Sequence, residues 1–578
     1  MAQLPPKLFS SGIEHASFVT SYQILKKAWN VISSNYQDIV TNDGVGLCWK
    51  VYKEQNPDLT IIAFEATKDS SNLQSDLISS SDLNKKKNFH QFDFLCSKKN
   101  PSFSLNSTAF SLFYDNIQKL DELKSKILGA YPGTPLIVTG KGLGGSIASL
   151  FTISLLDNIG STKNRPLCIT FGSPLVGDRK LQRAISRSSN WNSCFINVVF
   201  CNDPHPRLFI TNYMPFGTFL FCSDSGSTCF ENPESNLEII VTLSKMHGQN
   251  QGFKLDEYGS IVENLRRRAF FKDVSTPAGD RTHSDKLVIG ISLQLQALGL
   301  TPNILQELDI DVNALETKIK RLEQFLIFQK KTSFDPSKKL NEMRRHMAQL
   351  EWYRKKTKNL DIGYYDSYKN KNVSADYEVD WYLKSIIFFW EKMVEEADLK
   401  PQREGAAFRT RWIFGGTTYR RMVEPLAIAQ YYRDGGKDYI NKQRSKHFKA
   451  LEEWLEEGQT KAKIESNRIN RKNVEVILTI DSCFWAHVEE AILACKELKV
   501  VKYKEEVLNK LVEFENYVYG LLKDYVVSPE IFLRQSSYMS WWNNYKVVKG
   551  SSYTSKLANF MNDAGNIKLY GLGGYDFP

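Results

Sequence analysis

The run from Ile137 to Leu150, IVTGKGLGGSIASL, has the grammar of a turn built for chemistry. An apolar stretch, Pro135 to Val138, leads into Gly140-Lys141-Gly142-Leu143-Gly144, and small residues at helical spacing follow it: Gly145, Ala148 and Ser149. This pattern predicts strand, tight turn and helix. In G-x-S-x-G such a turn holds a serine in a strained conformation, flanked by glycines that let strand and helix approach, and the chemistry it serves is acyl transfer. Here both outer glycines are kept, but the centre is Gly142, which has no nucleophilic atom. A phosphate-binding loop is the rival reading, yet it requires G-x-x-x-x-G-K-[ST], and no Lys-Ser/Thr pair follows the second glycine. The nearest downstream hydroxyl, Ser146, falls one helical turn into the following helix, on its packing side.

A serine triad of this type continues in chain order with an acid and then a histidine. Asp203, in CNDPHPRL directly after the apolar run FINVVF, stands where the acid would be. Taken alone, an aspartate before Pro204 reads first as a turn former. The downstream histidines His247 and His283 lie in polar stretches, and a lone loop histidine is more often a surface residue than a base.

A second constellation interleaves basic and aromatic residues: Arg344, Arg345 and Met347 before Trp352-Tyr353; Tyr364, Tyr365, Tyr368 and Lys369; and Arg411, Trp412, Tyr419, Arg420 and Arg421. Guanidinium forks bind phosphate bidentately, and aromatic faces stack on bases, so the combination suits a nucleotide with several phosphates. Trp352, Tyr365 and Trp412, at helical spacing, read first as core residues.

The elements that would carry these groups divide the chain in two. From about residue 45 to 230, short β-type runs alternate with helical patterns (DLTIIAFEA, PLIVTG, LCITFGSPLVGD, CFINVVFCNDPHPRL), which predicts a parallel sheet with helices on its faces. From about 300 onward the texture is helical, as in ALETKIKRLEQFLIF, KKLNEMRRHMAQLEWYRKK, VDWYLKSIIFFWEKMVEEA and NKQRSKHFKALEEWLEEG, and predicts a packed bundle. The expected boundary is near 295, giving domains 1–295 and 296–578. A chain of 578 residues exceeds what one core organises, since single cores stop growing at about 250 to 300 residues. The net charge of +10 permits an anionic partner but equally a solvated basic surface. Nine cysteines without C-x-x-C or Cys/His metal spacing point to a reducing compartment and to no metal centre. The apolar run LVIGISLQLQALGL is too short and too polar to span a bilayer, and a soluble intracellular protein is expected. A nucleic-acid-binding reading finds no recognised module.

Several stretches carry a resemblance. FEAT (Phe64 to Thr67), the glycine turn, TFGSPLVGD (Thr170 to Asp178) and NDPHPRL (Asn202 to Leu208) are similar in order and spacing to class 3, triacylglycerol-lipase-like domains. In that family Thr67 would stand at the oxyanion segment. PFGTFLFCSDSGSTC (Pro215 to Cys229) resembles the plant immune branch of those proteins. LEWYRKKTKNLDIGYYDSYK, RWIFGGTTYRRMVEPLAIAQYYR and SPEIFLRQSSYMSWWNNY closely resemble the helical domain shared by the plant enhanced-disease-susceptibility, phytoalexin-deficient and senescence-associated proteins. The missing serine is similar to the senescence-associated branch, as is Leu255 in FKLDEYGSIV, where the other branches place a histidine.

The resemblance implies an α/β-hydrolase-like N-terminal domain followed by an all-α C-terminal bundle, with the triad positions Gly142, Asp203 and Leu255 emptied of chemistry. It implies no catalysis and no cofactor. It also implies a heterodimer with the enhanced-disease-susceptibility protein, a composite cavity for an ADP-ribosylated ATP or related nucleotide, recruitment of a helper NLR receptor, and residence in nucleus and cytoplasm. On the same basis Arg411 matches a phosphate-binding position and Met347 one that tunes ligand choice, while Lys369, Arg421 and Tyr419 are chosen for lying close to them in charge or sequence. The alternative is an acyl hydrolase with a displaced nucleophile.

Overall fold

The computed structural model describes residues 23–34, 40–41, 46–55, 58–66, 76–130, 134–157, 165–208, 210–224, 226–246, 253–265, 283–332, 334–371, 374–458, 471–500, 505–550 and 553–578. The chain forms two compact units, Met1–Ser333 with Leu399–Gly405, and Phe334–Asp398 with Ala406–Pro578.

The described residues of the first unit include ten strands: β1 (Val40–Thr41), β2 (Leu47–Gln55), β3 (Asp58–Ala66), β4 (Leu77–Ser79), β5 (Ser104–Asn106), β6 (Leu136–Lys141), β7 (Leu167–Phe171), β8 (Phe195–Phe200), β9 (Thr218–Cys222) and β10 (Ser227–Phe230). Eight of them make one sheet in the order β1-β2-β3-β6-β7-β8-β9-β10, and β4 pairs with β5 apart from it. The strands from β3 to β9 run parallel, as the alternating pattern predicts. Both edges differ from that expectation and are antiparallel. Only a few residues separate β2 from β3 and β9 from β10, and a parallel crossover needs a dozen or more, so each pair closes as a hairpin.

Alternation along the central strands sends side chains to two covered faces. Ile62 and Val138 join the core beneath the helix Leu143–Leu156, whose residues are all buried. Ile61, Ile137, Ile169 and Ile196 join the opposite core, together with residues of the helices Ile24–Ser33 and Tyr258–Leu265.

The expected boundary near 295 is displaced to Ser333/Phe334. The helix Val312–Thr332 belongs to the first unit because Leu315 and Ile319 pack with Phe219, Phe221, Ile239, Leu243 and Leu295 in one core over the β9–β10 edge. Ser235 Oγ donates to Glu323 Oε1 at 2.8 Å, and Asn232 donates to the Leu322 carbonyl at 2.8 Å. Helical periodicity marks this segment as a helix; it carries no signal of which core the helix covers.

The second unit is all-helical, built on Pro336–Lys358, most of Ala375–Leu399 and Gln402–Arg433, Lys446–Gly458, Phe484–Val500, Glu505–Lys523 and Ser537–Lys549. The helix Gln402–Arg433 is 32 residues long and carries Pro425 in its interior. Its core is aromatic: Tyr365 stacks on Trp485 at 4.3 Å, and Trp390 and Phe448 both stack on Tyr419. Trp352, expected in this core, is 54% exposed, whereas Tyr365 is buried and Trp412 half-buried. Among the described residues no helix is long and apolar enough to cross a membrane, and all nine cysteines are free thiols.

Polar groups tie the helical core together. Arg354 Nε donates to the buried Glu530 carboxylate at 2.5 Å and to Ser528 through the far end of its fork. Asp366 Oδ1 accepts from Ser537 N at 3.0 Å and Ser537 Oγ at 2.6 Å, while its Oδ2 is buried without a partner. Burial outweighs those bonds and pushes the Asp366 carboxyl up to about 7. An acid whose pKa is raised on folding binds its proton more tightly when folded, so its stabilising share is fully present below its unfolded pKa of about 3.9 and is lost as pH rises to about 7. Urea unfolding across pH 4 to 8 should show this decline, and Asp366→Asn should flatten it; an unchanged slope in the variant would remove Asp366 as its source.

Candidate functional site

The turn after β6 has the backbone of a nucleophile elbow. Gly142 adopts φ 52° and ψ −129°, a conformation that L side chains rarely take, and initiates the helix Leu143–Leu156. Its N–H donates to the Phe171 carbonyl at 2.9 Å, and its own carbonyl accepts from Gly145 N at 3.0 Å. The outer glycines are required by contact, since a Cβ on Gly140 would meet the Gly144 carbonyl and one on Gly144 would meet the Phe64 carbonyl of β3. Ser146 is buried and its Oγ bonds Ser173 Oγ at 3.1 Å and the Pro174 carbonyl at 3.2 Å, so the nearest hydroxyl faces packing, as expected.

Leu255 and Asp203, the residues expected at the two remaining triad positions, both lie near this turn. A Cβ placed on Gly142 would lie 2.9 Å from Leu255 Cδ1. One placed on Gly172 would meet both Leu255 Cδ2, at 3.1 Å, and Asp203 Oδ2. The half-buried leucine therefore runs from the elbow toward the acid and fills the space between them. Its segment is held by Lys141, which donates to Asp256 Oδ1 at 2.9 Å and pairs with Glu65 at 3.3 Å. Burial alone would depress the lysine, but the two carboxylates leave its pKa raised.

Asp203 is fully buried and its oxygens are committed elsewhere. Tyr258 Oη donates to Oδ2 at 2.7 Å and accepts from Phe200 N at 2.9 Å. His205 N donates to Oδ1 at 2.9 Å, and His205 Nδ1 stands 2.7 Å from the same oxygen. Burial, and then the neighbouring carboxylate, push the Tyr258 hydroxyl well above its ordinary range, so it stays a donor. Sequence reading missed both partners. Tyr258 lies 55 residues from Asp203; His205 lies two residues away in NDPHPRL, and was the legible signal. Thr67 and His247 lie outside the described residues, and His283 opens the helix His283–Ala297.

The five basic-aromatic candidates of the helical unit do not converge within this chain. Met347 is half-buried beside His346, which packs on Trp381. Arg411 is exposed beside Trp412, which packs on Trp390, and Trp390 lies nine residues beyond Trp381 on the helix Ala375–Leu399, about 14 Å of rise away. Lys369 Nζ donates to Glu489 Oε1 at 2.5 Å, so its charge is neutralised internally. Arg421 is half-buried, its Nε has no hydrogen-bond partner, and burial together with the adjacent Arg420 lowers its pKa. Tyr419 is corrected to a core residue: it is fully buried, its hydroxyl lies 2.8 Å from His447 Nε2, and it offers a ligand no surface.

Two family models match the sequence: lipase (class 3) over residues 61–213, and the enhanced disease susceptibility 1 protein EP domain over residues 348–560. The chain is 35% identical over 564 residues to senescence-associated carboxylesterase 101 of Arabidopsis thaliana, covering 96% of this chain and 95% of that protein. It is 27% identical to lipase-like PAD4 of the same plant, covering 72% and 76%, and 23% identical to protein EDS1, covering 74% and 81%.

The packing at the elbow predicts how the site responds to repair. Gly142→Ser should destabilise the first unit by about 1–3 kcal/mol through left-handed strain, with added crowding against Leu255. It should confer no turnover of a p-nitrophenyl ester, and a robust rate in that single variant would show that Leu255 does not block the site. Tyr258→Phe should cost about 1–3 kcal/mol in urea unfolding, because it strips a donor from the buried Asp203 and an acceptor from Phe200 N.

Proposed function

The chain belongs to the enhanced disease susceptibility 1 family of lipase-like plant proteins, in its senescence-associated branch, and from that premise we propose that it is a non-catalytic immune co-regulator. The observation that carries this reading is the constellation Gly142–Leu255–Asp203: the elbow has no nucleophilic atom, the neighbouring place holds an alkyl group, and the acid is bound to Tyr258 and His205. In a triad enzyme, loss of the nucleophile alone lowers kcat by about 10^6. The first unit then acts as a scaffold for a heterodimer with an enhanced-disease-susceptibility protein.

In this reading the helical unit contributes one wall of a composite cavity that takes an ADP-ribosylated ATP or a related nucleotide, and the loaded complex recruits a helper NLR receptor in nucleus and cytoplasm. Arg411 is the residue of this chain best suited to the nucleotide's phosphates, because its guanidinium is exposed and forms no ion pair with any described residue. Met347 offers an adaptable apolar surface. Separation of Arg411 and Met347 along the bundle fits a cavity completed by a partner rather than one enclosed by this chain. Ligand-dependent assembly follows if the nucleotide binds one arrangement of the two proteins better than another.

A second reading, acyl hydrolysis through a displaced nucleophile, is favoured by the Asp203–His205 pair and by the carboxylesterase name of one relative. It predicts covalent labelling by a fluorophosphonate probe, and the pseudoenzyme reading predicts none.

Two measurements test the proposal. Co-expression with an enhanced-disease-susceptibility protein should give a single heterodimer peak in gel filtration; separate monomers would end the heterodimer reading. Calorimetric titration of that heterodimer with ADP-ribosylated ATP should show binding that Arg411→Ala weakens at least tenfold at an unchanged melting temperature. Equal affinity in the variant would remove Arg411 from the site.

A further inference from the structure

A histidine in the helical unit is buried without the bonds that burial demands. His346 has no exposed surface, and neither Nδ1 nor Nε2 has a hydrogen-bond partner. A neutral imidazole carries one donor and one acceptor, and leaving both unsatisfied in a core is costly. The cover over the ring is thin. Trp381 meets it edge-on at 4.8 Å and is itself 58% exposed, and Tyr382 lies at 5.4 Å. Swinging one half-solvated side chain would open the imidazole to a ligand.

The surroundings specify what kind of ligand. Tyr377, Trp381 and Phe388 are exposed at spacings of four and seven on the helix Ala375–Leu399, and so form one stripe about 16 Å long. The helix Pro336–Lys358 runs antiparallel beside it: Lys339 lies over Phe388, His346 on Trp381, and the Tyr353 hydroxyl donates to Asp376. Lys339, Arg345 and Lys384 are exposed along these two helices and make no ion pair with any described residue. Glu342 is the only acid between Lys339 and Arg345, and Lys384 the only charged residue between Trp381 and Phe388. The face thus combines aromatic anchors, unpaired cations and a buried donor seeking an acceptor.

We propose that this face docks an acidic amphipathic helix of a partner protein, three turns of it along the stripe, with one of its carboxylates taking His346 once Trp381 moves aside. The apolar side of the partner helix covers Tyr377, Trp381 and Phe388, and its flanking carboxylates meet Lys339, Arg345 and Lys384. Neither the heterodimer nor the nucleotide cavity is needed for this surface to act.

The test is a tryptophan-fluorescence titration of the full chain with a synthetic helical peptide bearing leucines at i, i+3, i+4 and i+7 and glutamates on the flanks. Saturable binding is expected, and none for the same peptide with lysine in place of glutamate. The double variant Lys339→Glu/Lys384→Glu, which touches only exposed side chains, should weaken binding at least tenfold at an unchanged melting temperature. His346→Leu should weaken it at least fivefold, and His346→Gln, which restores a donor, should recover most of the loss. Absence of saturable binding, equal binding of the lysine peptide, affinities unchanged in both the charge and the His346→Leu variants, or binding confined to anionic lipid vesicles would each overturn the proposal.

Discussion

The first unit depends on an approach between backbones with no side chain to separate them. Where β6 turns into the helix Leu143–Leu156, the Gly140 Cα faces the Gly144 carbonyl and the Gly144 Cα faces the Phe64 carbonyl of β3. That contact lets a helix buried along its whole length lie directly on the central strands. It also fixes the left-handed turn at Gly142 and, with it, the place where a nucleophile would project. The constraint is architectural: it rests on backbone contact and is independent of what residue 142 carries. The elbow explains why this lipase-like sheet needs Gly140 and Gly144 for packing alone.

Much of this was legible from residue types, and the exceptions have physical causes. The elbow, strands β3, β6, β7 and β8, and the place of Asp203 after β8 follow from local patterns of glycine spacing, apolar runs and chain order, whereas Leu255 was pointed to by family resemblance alone. The domain boundary was misplaced because Val312–Thr332 is as helical as the bundle that follows it, and only the long-range packing of Leu315 and Ile319 against Phe219 and Phe221 assigns it to the sheet. Trp352 and Tyr419 have similar aromatic character and opposite surroundings, one exposed and one enclosed between Trp390 and Phe448. Tyr258 as a partner of Asp203 was invisible for the same reason: a single hydrogen bond across 55 residues leaves no periodicity.

Charge counting in the helical half is likewise a poor guide to what a ligand meets. Arg354 is bound to Glu530, Arg444 to Glu424 and Glu452, Arg420 to Glu452 and Ser482, and Lys369 to Glu489. These cations satisfy buried or half-buried carboxylates, and breaking one pair leaves its partner charge stranded, typically at a cost of about 3–5 kcal/mol. The number of lysines and arginines therefore overstates the positive surface offered to an anion, and Arg411, Lys339, Arg345 and Lys384 matter because they form no ion pair with any described residue.

The long helix Gln402–Arg433 gives this unit a mechanical property. Its 32 residues make a rod of about 48 Å, with Arg411 toward one end and Arg433 at the other, where the guanidinium lies over Tyr368 and donates to its carbonyl at 3.0 Å. Pro425 has no N–H to give the Arg421 carbonyl, so the rod lacks one rung of its hydrogen-bond ladder between those ends. Such a beam is stiff along its length and most compliant at one known point. Pro425 thus divides the helix into a segment that carries Arg411 and a segment that ends in the Arg433 contact with Tyr368.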